Sequence, residues 1–110
     1  MSLDWLFLVG AIVLEVMGTT SMKLSAGFTR PLPSVLLFVF YALSFTLFTL
    51  AVKRLEVSLA YAIWAGVGTM AITMIGITMF QEPVTLVKAG SILLIIVGVV
   101  GLNLSGAVHT

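Results

Sequence analysis

The chain has 110 residues, of which 61% are hydrophobic and only 8% charged, with a formal net charge of +1 and a mean hydropathy of +1.28. Soluble domains carry roughly 25% charged residues, so this composition belongs to a protein whose solvent is lipid. Long apolar stretches joined by short connections leave no room for a soluble catalytic, nucleotide-binding or nucleic-acid-binding domain, and an enzyme is not expected. There is no cysteine, which excludes disulfides and thiolate metal sites, and no metal-binding role is expected of the lone His109, read as part of a C-terminal tail.

Four apolar stretches are predicted, at about Leu3–Met22, Pro33–Val52, Val57–Phe80 and Leu86–Ser105. Each matches the roughly 20 residues that a helix needs to cross about 30 Å of hydrocarbon. The expectation is an all-α, multi-pass membrane protein with one four-helix transmembrane domain over residues 1–110.

The first stretch opens on Asp4 rather than on a basic segment, carries Glu15 mid-run and offers no clear small-residue cleavage site, so it reads as a retained helix and not a signal peptide. The connection that follows, Lys23 to Pro33, holds Gly27 and two prolines as helix breakers. The second stretch ends at Lys53-Arg54, two cations placed to hold that end at the membrane surface by extending toward water. In the third, Gly66 and Gly68 each cost about 1 kcal/mol relative to alanine, which points to a bend or a close helix contact. Pro83 in Gln81-Glu82-Pro83 is expected to end it. In the fourth stretch Gly90, Gly98, Gly101 and Ser105 fall near one stripe, a small-residue surface of the kind along which membrane helices pack. Gly90, Gly98 and Gly101 are expected to form a dimer seam, with packing inside one chain as the alternative.

Lysine and arginine divide two against three between the sides of a four-span chain, a bias too small to set an orientation. Insertion in both orientations, followed by antiparallel pairing of two copies, would supply both halves of an inverted-repeat transporter from one sequence.

Glu15 is the only charged side chain well inside an apolar stretch. A charge at the bilayer centre costs a few kcal/mol, and in membranes the usual reason for one is ion or substrate handling. On a helix it shares a face with Leu8, Ala11, Ile12, Gly18, Thr19 and Met22, where Thr19 offers a hydroxyl and Gly18 leaves space, a stripe suited to a cavity. Hydrocarbon disfavours the ionised form, so a proton and a cation would compete for this one carboxylate, and exclusive occupancy is the coupling rule of an antiporter. Ring faces hold lipophilic cations at roughly 0.5–2 kcal/mol per contact. Tyr61 and Trp64, three residues apart in the third stretch, are the candidate rings. Tyr41 and Ser44 lie on the second stretch and Trp5 and Phe7 near the start of the first; Ser44 joins the candidate substrate contacts, with core packing as its alternative reading.

Three segments, Glu15-Val-Met-Gly-Thr-Thr-Ser-Met-Lys23, Gly27-Phe-Thr-Arg-Pro-Leu-Pro-Ser34 and Ala60-Tyr-Ala-Ile-Trp-Ala-Gly-Val-Gly68, make the chain resemble the small multidrug resistance family of bacterial transporters along nearly its whole length. The resemblance implies an antiparallel homodimer in the bacterial inner membrane, driven by the proton gradient without a cofactor, in which Glu15 is shared by proton and small cationic substrate. It further implies that Tyr61 and Trp64 line the substrate chamber, that Gly66 and Gly68 let the third helix bend, and that the fourth helix dimerises. Gly18-Thr19-Thr20 resembles the exporters of quaternary ammonium compounds and cationic dyes, whereas the Gln81-Glu82-Pro83 turn looks closer to guanidinium exporters. Readings from other classes are a proton-translocating rotor subunit, which gives the aromatic cluster no role, and a membrane module without transport; half of an obligate heterodimer is a further alternative.

Overall fold

The computed structural model describes residues 3–109. Four helices carry all the regular structure among them: α1 (Leu3–Leu24), α2 (Pro31–Ala51), α3 (Val57–Met79) and α4 (Leu86–His109), with no strand. All four are long and apolar enough to span a membrane. A backbone in hydrocarbon must satisfy its polar groups internally, and a helix does so within one segment.

The helix ends refine the expected spans. α1 runs two residues past Met22, and α2 begins at Pro31 rather than Pro33. Proline is tolerated in the first turn, where its missing N–H has no partner to lose. The backbone of α4 continues to His109, so the residue read as part of a tail is helical. The side chains of residues 105–109 lie outside the described ones, and with them the place of Ser105 on the small-residue stripe.

The chain forms two compact units, one ending at Arg54 and the other beginning at Leu55. In the first, α1 and α2 pair antiparallel, with Leu8, Ala11, Leu37 and Ser44 buried. Their connection is organised by Ser25, 1% exposed, whose hydroxyl donates to Met22 O and accepts the Phe28 N–H, while its own carbonyl accepts from Thr29 and Arg30. Ala26, Gly27 and Phe28 all take positive φ here, so the turn is left-handed over three residues and not at Gly27 alone. Phe28 then stacks on Phe38 of α2 at 6.1 Å.

In the second unit Gly66 of α3 admits α4: a Cβ on it would lie 2.7 Å from Val99 Cγ2 and 3.1 Å from Ile95 Cγ2. Of the two readings for that glycine, the close contact is what the structure contains; α3 is a continuous helix through both Gly66 and Gly68. α3 ends before Pro83 can act. Phe80 and Glu82 both donate their N–H to Gly76 O, Gln81 takes φ 56°, and the Glu82 carboxylate packs where a Gly76 side chain would be. Thr85 then caps α4 by accepting the Lys88 N–H at 3.0 Å. No described residue of α4 is buried, and Leu93, Leu94, Val97 and Val100 point outward. In lipid such a surface costs nothing, because acyl chains are as apolar as leucine.

Candidate functional site

Hydroxyl groups show where the first unit departs from ordinary helix chemistry. Thr20, Thr46, Thr49, Thr69, Thr73 and Thr78 each donate to the carbonyl four residues back, the usual way to hide a hydroxyl in an apolar helix. Thr19 does not. Its Oγ1 donates to Glu15 Oε1 at 2.9 Å and lies 2.6 Å from the Tyr41 hydroxyl. A threonine has one hydroxyl proton, so once it is given to the carboxylate, Tyr41 must donate to Thr19. The result is a directed chain from Tyr41 through Thr19 to Glu15.

The other carboxylate oxygen is the opposite case. Glu15 Oε2 is buried and has no hydrogen-bond partner among the described residues. A buried charge without a partner is costly, and the cost is removed by a proton or a cation at that oxygen.

The remaining residues of the predicted α1 stripe divide by role. Leu8, Ala11 and Ile12 are buried, and Ala11 O accepts the hydroxyl of Ser44, itself 0% exposed, at 2.7 Å. Ser44 therefore ties α2 to α1 in this structure, the packing alternative of its two readings. Gly18 does not face open space: a Cβ there would come within 2.9 Å of Tyr41 Cδ1 and Cε1, so the glycine is what allows the Tyr41 ring to reach Thr19. Met22 is exposed. Tyr41 is the participant that the sequence places on the second stretch without assigning it a role. The signal available was its place one turn from Ser44, but the pairing with Thr19 depends on the register of α2 against α1.

In the second unit Tyr61 and Trp64 meet edge to face, with ring centroids 5.6 Å apart and planes at 80°. Tyr61 is 56% exposed and Trp64 half-buried. Gly90, Gly98 and Gly101 are exposed and have open space at the Cβ position. Gly98 also borders an apolar groove of about 470 Å³ between α3 and α4, floored by Ala65 and Gly66.

Four spans, with one acid held mid-helix by a side-chain network and a pair of interacting rings, define a small polytopic membrane protein built around a single intramembrane carboxylate. Residues 3–106 match the family described as Small Multidrug Resistance protein. The chain is 53% identical to the uncharacterized membrane protein YvaE of Bacillus subtilis over 93% of its own length and 86% of that protein's. It is 42% identical to the multidrug resistance protein mmr of Mycobacterium leprae, covering 94% and 97% of the two chains. With the quaternary ammonium compound-resistance protein QacC of Staphylococcus aureus it shares 36% identity over 97% and 100%. The chain belongs to the small multidrug resistance family. It is a multi-pass protein of the bacterial plasma membrane, a transporter of the multidrug-resistance class and not an enzyme.

Proposed function

We propose that this protein is a proton-coupled antiporter that exports lipophilic or aromatic cations, quaternary ammonium compounds among them, with Glu15 as the group that proton and substrate occupy in turn. The observation that carries the reading is the asymmetry of the carboxylate: Oε1 is held by Thr19, while Oε2 is buried without a hydrogen-bond partner among the described residues. One oxygen is fixed and the other awaits a positive charge. A proton satisfies it covalently and a cation electrostatically, and the two cannot do so together.

Tyr61 and Trp64 supply ring faces and a phenol for a substrate that is both charged and apolar. A guanidinium ion would need planar hydrogen-bond acceptors more than rings, so the aromatic pair favours the hydrophobic cation. The transport unit is an antiparallel homodimer, supported by the near-equal lysine and arginine count on the two sides and by the open glycine stripe of α4. Gly66 and Gly68 are the positions at which α3 would bend between inward-open and outward-open states.

The test is binding of tetraphenylphosphonium to the purified protein across pH. Affinity should rise with pH as fewer protons compete for the shared site, protons should be released on binding, and Glu15→Gln should abolish both effects. Binding by the wild type that ignores pH would sink the shared-site reading. Transport of guanidinium without resistance to methyl viologen or ethidium would overturn the substrate class.

A further inference from the structure

The first unit holds a second polar locus that the transport reading does not use. At the end where α1 begins and α2 finishes, Leu3, Asp4, Phe7, Leu50, Lys53 and Arg54 enclose a cleft of about 410 Å³. Lys53 and Arg54 are exposed and Asp4 half-buried, and no ion pair joins them among the described residues. The cleft therefore carries two cations against one anion. It repels the cationic substrate proposed above and attracts an anion. Both apolar spans terminate at this level, which places the cleft where phosphates lie and its apolar wall where acyl chains begin.

We infer that this cleft binds an anionic phospholipid, with Lys53 and Arg54 taking the phosphodiester and Leu3, Phe7 and Leu50 receiving the first carbons of an acyl chain. The apolar wall selects a membrane lipid over a free phosphate, since an inorganic anion gains nothing from Phe7 or Leu50. Arginine suits the phosphodiester because its planar fork matches two phosphate oxygens, with lysine as the neighbouring point charge. Asp4 refines the choice. It opposes a second negative charge and accepts hydrogen bonds, so it fits a headgroup with hydroxyl donors beyond its phosphate, as in phosphatidylglycerol. Phosphatidylcholine carries no such donor and no net charge to balance the cleft.

Native mass spectrometry of the full-length protein, offered phosphatidylglycerol, phosphatidylethanolamine and phosphatidylcholine in competition, tests the assignment. Phosphatidylglycerol should be retained at one site per chain at least about fivefold over phosphatidylcholine, with phosphatidylethanolamine between them. The preference should disappear in K53Q/R54Q, survive in K53R/R54K and survive in K23Q/R30Q, which removes the cations at the opposite end of the helix pair. Circular dichroism on each variant establishes that helix content is kept, and exposed side chains make that the expected result. A preference that persists in K53Q/R54Q, or falls equally in K23Q/R30Q, refutes the site. Preferential retention of phosphatidylethanolamine refutes the anionic assignment, and displacement of phosphatidylglycerol by millimolar inorganic phosphate refutes the lipid as the occupant.

Discussion

The Thr19 hydroxyl gives its proton to Glu15 Oε1 across 2.9 Å, and this bond fixes which carboxylate oxygen is left for another partner. Because Tyr41 in turn donates to Thr19, the orientation of a residue on α1 is set partly from α2. Hydrogen bonds in such a chain polarise one another, so the pair acts as a unit.

Removing the links should therefore rank in order. Thr19→Val keeps the shape and deletes the bond to the carboxylate; bonds to charged groups contribute about 1.5–3 kcal/mol, and the half-buried setting discounts this toward its lower end. Tetraphenylphosphonium affinity at high pH should fall about tenfold. Tyr41→Phe removes only a bond between neutral hydroxyls, worth about 1 kcal/mol, and should cost about fivefold. Thr19→Ser should behave as wild type. Isothermal titration reads all three, and equal affinity in Thr19→Val and wild type would show that the network does not position the acid.

Gly18→Ala should disturb the same network from below. The added Cβ would approach the Tyr41 ring to 2.9 Å, and Phe40 Cβ to 3.4 Å, so the ring must withdraw or the helices must part. Overpacking of this kind costs about 1–3 kcal/mol. The expected outcome is a lower unfolding midpoint together with a loss of affinity no larger than that of Thr19→Val plus Tyr41→Phe.

The spans and the exceptional position of Glu15 were legible in the sequence because both rest on one-dimensional facts. Hydrocarbon thickness sets a run length, and a charge inside such a run is conspicuous wherever it falls. What could not be read was register. Ser44 meets Ala11 O and Tyr41 meets Thr19 only because α2 lies against α1 at one particular stagger, and lipid-soluble helices give no hydrophobic stripe to announce their facing sides. The way α3 closes was hidden for a related reason. Pro83 is visible as a breaker, yet the helix stops at Met79 because Gly76 O captures two downstream N–H groups and Gly76 leaves room for Glu82, a return of the chain on itself that residue types alone do not spell out.

Gly66→Ala tests the contact between α3 and α4. Its Cβ would meet Val99 Cγ2 at 2.7 Å and Ile95 Cγ2 at 3.1 Å, and both are branched side chains with little freedom to yield on a helix. A loss of about 1–3 kcal/mol in unfolding free energy is expected. Gly66→Ala/Val99→Ala should recover most of it by clearing the nearer atom. If the single variant is as stable as wild type and its transport rate falls, the glycine acts through helix bending instead, which a turnover assay at saturating substrate distinguishes from a stability assay.

Gly101→Leu asks the reverse question of α4. Among the described residues, nothing beyond its chain neighbours and its own helix backbone lies within 4 Å of a Cβ at Gly101, so a larger side chain has room within one copy and should leave helix content and the unfolding midpoint unchanged. Close approach of two membrane helices depends on small residues at the seam, and a leucine there would hold the backbones apart. If α4 pairs two copies, dissociation measured by energy transfer between labelled chains in liposomes should strengthen tenfold or more, about 1.4 kcal/mol. Efflux should fall with the dimer fraction and recover at higher protein density in the bilayer. Unchanged energy transfer in Gly101→Leu would remove Gly101 from the interface and leave its stripe as an ordinary lipid-facing surface.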